Sequence, residues 1–261
     1  MTGDNPRDDA DVESASVVPE IVVLSAPRNG TNFFCECLDG LPEVLGLYEV
    51  FAPGGVYGAG REHVLSALGD VLGETLESDA DPRLLSVFRE DPERALAVLA
   101  DVTTRIGCSI LGYKVFPGQV DERTLARLIE APHRHPFFLV RSRLDVFVSY
   151  RKVHLSDTWK NADTSGVKPE IDVDEFLDWA VVNDAWFDRL ADGLEAHGKS
   201  YRVVSYGRDV DRSKSDLLRA LRATLRADGL DVTLPASLPR ERFHRQDVDA
   251  DPFSKIANGP E

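Results

Sequence analysis

The sequence predicts an α/β fold: a central parallel sheet of about five strands, flanked by helices in three layers. Two patterns carry that prediction. Short apolar runs recur along the chain, continuous rather than alternating, as in strands buried on both faces. Longer stretches with apolar residues at helical spacing lie between them, so strand and helix alternate. A third observation bears on function. The runs end in turns, and polar residues able to hold an anion or move a proton sit at those ends, where ligands bind in parallel sheets.

The first run, residues 21–24 (IVVL), breaks at 25–30 (SAPRNG), a tight turn whose Gly30 is free to take positive φ. A helix over 31–38 follows. The run 44–51 (VLGLYEVF) predicts a second strand with Glu49 at its end, closed by Pro53 and two glycines. Residues 61–102 have a helical pattern, with Asp91 and Pro92 marking a helix start. Residues 109–116 (SILGYKVF) predict a third strand with Lys114 near its end. Asp121 then opens a short helix that buries Leu125, Leu128 and Ile129.

A fourth strand over 136–140 runs into Arg141 and a helix over 146–154. The polar stretch 156–170 breaks every pattern and predicts a mobile loop, with Trp159 and Lys160 as candidate acceptor contacts. Asp172 and Glu175 have capping-box spacing, and Phe176, Leu177, Ala180, Phe187, Leu190 and Leu194 mark the inward face of the next helix, ended by Gly198. A fifth strand over 201–205 ends at Tyr206, and a helix over 211–228 buries Leu217, Leu218, Leu221 and Leu225. The organisation expected is an acidic disordered tail over 1–18, then one α/β domain over 19–261 with an irregular segment from 230 onward.

Composition narrows the function. With 43% hydrophobic residues the chain is globular, and its formal net charge of −15 argues against a nucleic-acid binder that works by phosphate neutralisation. Local arginines can still build a positive pocket for a small anion. No apolar run reaches the roughly 20 residues that span a bilayer, and the N-terminus lacks the apolar core of a signal peptide. Three cysteines fit a reducing cytoplasm better than a disulfide framework. Cys35 and Cys37 alone are too few for zinc, so no metal is expected.

Arg28, Glu49, Lys114, Arg141 and Tyr206 all fall at or just past predicted strand ends. The turn holding Arg28, with the first amides of a helix behind it, is an anion site. It does not match the usual kinase loop G-x-x-x-x-G-K-[ST], because residues 25–32 lack the second glycine and the lysine.

Residues 25–34 (SAPRNGTNFF) resemble the 5′-phosphosulfate loop of the sulfotransferases that use 3′-phosphoadenosine 5′-phosphosulfate (PAPS). Residues 141–149 (RSRLDVFVS) resemble the 3′-phosphate motif of that family, R-x-x-x-D-x-x-x-S. Residues 203–206 (VVSY) are similar to its strand–tyrosine segment beside the adenine. Arg245 and Gln246, with 255–258 (KIAN), are similar to the closing segment of its bacterial carbohydrate or trehalose-type members. Asn29 stands where the family has Ser or Thr, Gly207 and Arg208 replace an acidic pair, and Gly259 replaces an aromatic.

The resemblance implies a P-loop-like fold and sulfuryl transfer from PAPS, without a metal, to a small-molecule, saccharide or glycolipid acceptor. It implies donor contacts from Arg28, Asn29, Gly30, Thr31, Asn32, Arg141, Ser149, Tyr206 and Lys255. Glu49 is the expected general base, with His154 its rival, and Arg28 and Lys114 are expected to steady the transferring group. Arg143 is open between an assisting role and solvent. A homodimer is compatible with this reading. An ATP-dependent kinase and an inactive nucleotide-binding scaffold are the alternatives.

Overall fold

The computed structural model describes residues 17–156, 163–240, 242–243 and 251–259. Trp159, Lys160, Arg245, Gln246 and nearly all of the expected acidic tail lie outside these residues. The strands are β1 (Glu20–Leu24), β2 (Val44–Glu49), β3 (Ile110–Val115), β4 (Arg134–Val140) and β5 (Arg202–Ser205). They form one sheet in the order β2-β3-β1-β4-β5, with every pairing parallel. The α/β fold with a five-stranded parallel sheet flanked by helices is therefore the one observed.

Helices cover both faces. On one face, α1 (Thr31–Asp39) and α8 (Lys214–Ala227) bury Phe34, Leu38, Leu218 and Leu221 against Ile21, Val23, Phe137 and Leu139 of the sheet. On the other, α2 (Glu62–Leu72), α4 (Pro92–Arg105), α5 (Glu122–Glu130) and α7 (Val173–Ala196) cover Val22, Leu24, Leu111 and Phe138. The helix α3 (Pro82–Glu90) packs on α4, and α6 (Arg143–Ser156) packs on α7 through Phe147, Val148, Phe176 and Trp179.

Several boundaries differ from the sequence expectation, each for a local reason. The helical stretch 61–102 is three helices, because αL Gly73 ends α2 and Asp81 and Pro82 start α3 as Asp91 and Pro92 start α4. Leu177 is 51% exposed: the early turns of α7 set Phe176 and Trp179, half-buried, against α6, and full burial comes only later, at Trp186, Phe187, Leu190 and Leu194. The helix expected from residue 211 begins at Lys214, capped by the Ser213 hydroxyl, because a π-helical turn at Tyr206–Val210 precedes it. Asp172 caps α7 as expected, accepting from the Glu175 amide. Among the described residues, no helix is long and apolar enough to cross a membrane.

The order of strands puts β1 in the centre, with β3 on one side and β4 on the other. The chain leaves β1 for β2 at one edge of the sheet, returns through β3, and crosses to the other side of β1 at β4. The carboxyl end of β1 therefore opens at the reversal in strand order, where open parallel sheets bind ligands. Asp39 fixes α1 against β2. Its Oδ1 accepts from the Gly46 amide at 3.1 Å and from Arg61 at 2.6 Å, while Arg61 donates to the Gly46 carbonyl.

That contact requires glycine, since a Cβ on Gly46 would lie 2.5 Å from the Asp39 Cα. Gly46→Ala is expected to destabilise the fold by about 1–3 kcal/mol, as overpacking against backbone does. Urea denaturation measures this. An unchanged midpoint would mean that α1 shifts freely on β2.

Candidate functional site: an anion cradle at the end of the central strand

The loop from β1 to α1 is tied into both neighbouring strands. The Ser25 amide donates to the Val115 carbonyl of β3 at 3.3 Å, and the Ser25 hydroxyl donates to the Leu139 carbonyl of β4 at 2.6 Å. Asn29 is buried, and its Nδ2 donates to the Ala26 carbonyl at 3.1 Å. Its side-chain amide thus braces the loop from inside. Arg28 (φ 73°) and Gly30 (φ 85°) are both left-handed, and Arg28 is the one non-glycine so placed among the described residues. Such a conformation costs about 1 kcal/mol and persists where surrounding contacts hold it. Gly30 is the N-cap of α1 with no side-chain cap, so the first amides of the helix are left to the loop's concavity. Thr31 is therefore the first helical residue and not the cap.

Lys114, which is fully buried, reaches that helix start. It comes from β3, beside Val23 of β1. Its Nζ donates to Thr31 Oγ1 at 3.0 Å and to Asn32 Oδ1, and lies 3.2 Å from Glu49 Oε1. The rings of Phe116 and Tyr48 flank it at 5.0 and 5.6 Å. The ammonium thus has two hydrogen-bond acceptors and one carboxylate around it, which is how a charge is tolerated inside a fold. Glu49 reaches it because the register of β2 shifts between Gly46 and Glu49, setting Glu49 opposite Lys114.

The second cationic focus joins the two motifs separated in sequence. Arg28 Nε donates to Ser149 Oγ on α6 at 3.0 Å. Arg141 Nη1 approaches the Arg28 carbonyl at 3.5 Å, and its guanidinium lies 4.5 Å over the Tyr206 ring. Burial, with the nearby charge of Arg141, pulls Arg28 down to about 10. Arg141 Nε is buried without a hydrogen-bond partner. Two guanidiniums held together, one with an unmatched N–H, fit an anion between them. Tyr206 closes the group: a Cβ on Gly30 would lie 2.3 Å from its ring carbons, so only glycine admits the ring.

The predicted site residues thus fall into two neighbouring groups: Glu49, Lys114, Thr31 and Asn32, and Arg28, Ser149, Arg141 and Tyr206. Lys255 is buried and reaches the second group through Asp145, at 3.5 Å. Arg143 pairs with Asp184 and so has a structural partner. His154 is exposed on α6 with its ring against Tyr150. Cys35 is buried in α1, and burial pushes its thiol up to about 12, so it packs as an apolar group. Among the described residues no three metal-ligating side chains converge.

Sequence reasoning missed Ser25, whose hydroxyl looks like ordinary turn chemistry, and the covering of this region by the C-terminal segment. Buried Glu36 of α1 accepts from the Arg242 and Phe243 amides at 3.0–3.1 Å and pairs with Lys214. Phe243 then sets its ring edge-on to Tyr48, 5.6 Å away. No periodicity announces such a contact.

The lowered value for Arg28 means the folded chain holds that proton less well than the unfolded chain, so the charge costs stability at neutral pH. Arg28→Met is expected to stabilise the ligand-free protein by on the order of 1 kcal/mol while abolishing stabilisation by phosphate-bearing ligands. Thermal melts with and without ligand test both halves. Loss of stability in the free protein would contradict the account.

Compared with known proteins, the chain matches no family model and no curated protein.

Proposed function

We propose that this protein is a sulfotransferase that moves a sulfuryl group from PAPS to a hydroxyl of a small-molecule, saccharide or glycolipid acceptor. The observation that supports this most is the meeting of Arg28 with Ser149, and of Arg141 with Tyr206, across one loop mouth. A nucleotide with a phosphate at each end of its ribose suits two adjacent cationic groups. The unmatched Arg141 Nε suits such a ligand, and Tyr206 is held in place by its contact with Gly30.

In this reading the amides at the start of α1, with Lys114 behind Thr31 and Asn32, hold the 5′ end, where PAPS carries the group to be transferred. Arg141 and Ser149 hold the 3′-phosphate. Ser149 accepts from Arg28 and keeps its own O–H to donate. The Tyr206 ring lines the adenine side. Arg28 reaches between the two ends and offsets negative charge on the leaving phosphate. Asn29 keeps the loop shaped for these contacts from within.

Glu49 is assigned the general-base role. Lys114 occupies Oε1, leaving the other oxygen to take the acceptor's hydroxyl proton as that oxygen attacks sulfur. Lys114 then lies between the base and the helix start, where it orients Glu49 and its charge, from behind Thr31 and Asn32, adds to the positive end of the helix. His154, on the exposed face of α6, becomes the base only if Glu49 is dispensable. A reducing cytoplasm is the assigned compartment, which suits three free cysteines.

Adenosine 3′,5′-bisphosphate is expected to raise the melting temperature more than Mg·ATP does. Arg141→Ala should weaken bisphosphate binding by about 30-fold or more, since it removes a charged hydrogen-bonding partner. A preference for Mg·ATP would support the kinase alternative instead.

Glu49→Gln is expected to lower kcat by at least about 100-fold while leaving bisphosphate affinity within about twofold of wild type. Surviving activity would move the base elsewhere, with His154→Ala the next variant. Binding without turnover across a broad acceptor panel would mark an inactive scaffold.

A further inference from the structure

Asp145 sits in the first turn of α6, one helical turn beyond Arg141. A single carboxylate oxygen, Oδ1, faces two cations: Arg141 Nη2 at 3.6 Å and Lys255 Nζ at 3.5 Å. Charge-assisted contacts usually close to about 2.7–2.9 Å. Neither partner has closed on Asp145, and the oxygen is shared.

The three side chains are mostly shielded from water, with relative exposures of 22% for Arg141, 18% for Asp145 and 7% for Lys255. Their charges are therefore felt at close range with little screening. Two positive charges stand against one negative, and Arg28 adds another positive charge beside Arg141.

The chain holds Lys255 there by contacts that have nothing to do with charge. Asn258 bonds the backbone of Ile171 twice, accepting from its amide at 3.0 Å and donating to its carbonyl at 2.9 Å. The Ala257 amide donates to the Pro169 carbonyl at 3.0 Å, and Ile256 packs against the cluster of Phe147, Val148 and Ile171. The short 3₁₀ turn Phe253–Lys255 then delivers the lysine to α6.

We infer that Lys255 acts through Asp145: by taking up part of that carboxylate's charge it keeps Arg141 from being neutralised, and so leaves Arg141 available to an anionic ligand. This rests on Arg141 as the holder of the 3′-phosphate, and it replaces direct contact by Lys255 with an electrostatic role. Without Lys255, Asp145 closes on Arg141 as an ordinary i,i+4 pair and competes with the ligand. Without Asp145, that competition disappears whether or not Lys255 is present.

The test is calorimetric titration of the full chain with adenosine 3′,5′-bisphosphate and with adenosine 5′-monophosphate, which lacks the 3′-phosphate. The ratio of the two affinities is the readout. Lys255→Met is expected to lower the wild-type ratio by about tenfold. Asp145→Asn alone should bind the bisphosphate at least as tightly as wild type, and Asp145→Asn with Lys255→Met should recover to within about threefold of it.

An unchanged ratio in Lys255→Met overturns the inference. So does a loss that the double variant fails to recover, which would mean direct phosphate contact or mere anchoring of the segment. If Lys255→Met does not fold, Asp145→Asn decides alone, and weakened bisphosphate binding there overturns the inference. A wild-type ratio of one would instead remove the 3′-phosphate reading itself, and this inference with it.

Discussion

The buried ammonium of Lys114 is the interaction on which this site depends. It enters from β3, the neighbour of the central strand, and meets Thr31 and Asn32 at the start of α1 and Glu49 at the end of β2. One charge thereby fixes three elements that the chain supplies from positions up to 83 residues apart. Burial makes the arrangement strict. A lysine so enclosed is tolerated only while its partners stay in place, so a loss on any of the three would leave an unmatched charge in the core. The same charge lies behind the helix start and adds to the positive end of the helix.

The second cationic group is assembled differently. Arg28 and Arg141 repel one another, and Arg28 is held in a left-handed backbone conformation as well. Such local costs are tolerated where they serve a ligand and the surrounding fold is stable enough to carry them. Here the surrounding support is plain: Ser25 bonds both β3 and β4, Asn29 braces the loop, and Tyr206 lies against Gly30. An anion entering between the guanidiniums relieves the repulsion that the free protein carries. The two groups thus differ: Lys114 is enclosed by its partners, while Arg28 and Arg141 stand close together with like charge.

Much of the architecture was legible because continuous apolar runs such as residues 21–24 and 136–140 leave little room for any other assignment than buried strands. The strand-end residues were legible by the same logic, since parallel sheets present their ligands there. The depth of Lys114 was not. A lysine near the end of an apolar strand reads equally well as an edge residue, and only the geometry of α1 supplies its partners. Asn29 turned inward for a similar reason, because a short amide finds the loop's own carbonyl first. The break at Asp81 and Pro82 carried the same signal as Asp91 and Pro92, but the helical periodicity around it masked the break. The outward position of Leu177 on α7 and the capture of the Arg242 and Phe243 amides by Glu36 depend on tertiary contact alone.

The central claim is that one nucleotide joins the two cationic groups, its 5′ end on α1 and its 3′-phosphate on Arg141. A crystal structure with adenosine 3′,5′-bisphosphate tests it most directly. The account predicts the 5′-phosphate against the amides of Gly30, Thr31 and Asn32, and the 3′-phosphate hydrogen-bonded to Arg141 Nε and the Ser149 hydroxyl. A nucleotide bound with its 3′-phosphate in solvent, or away from the loop altogether, would contradict it.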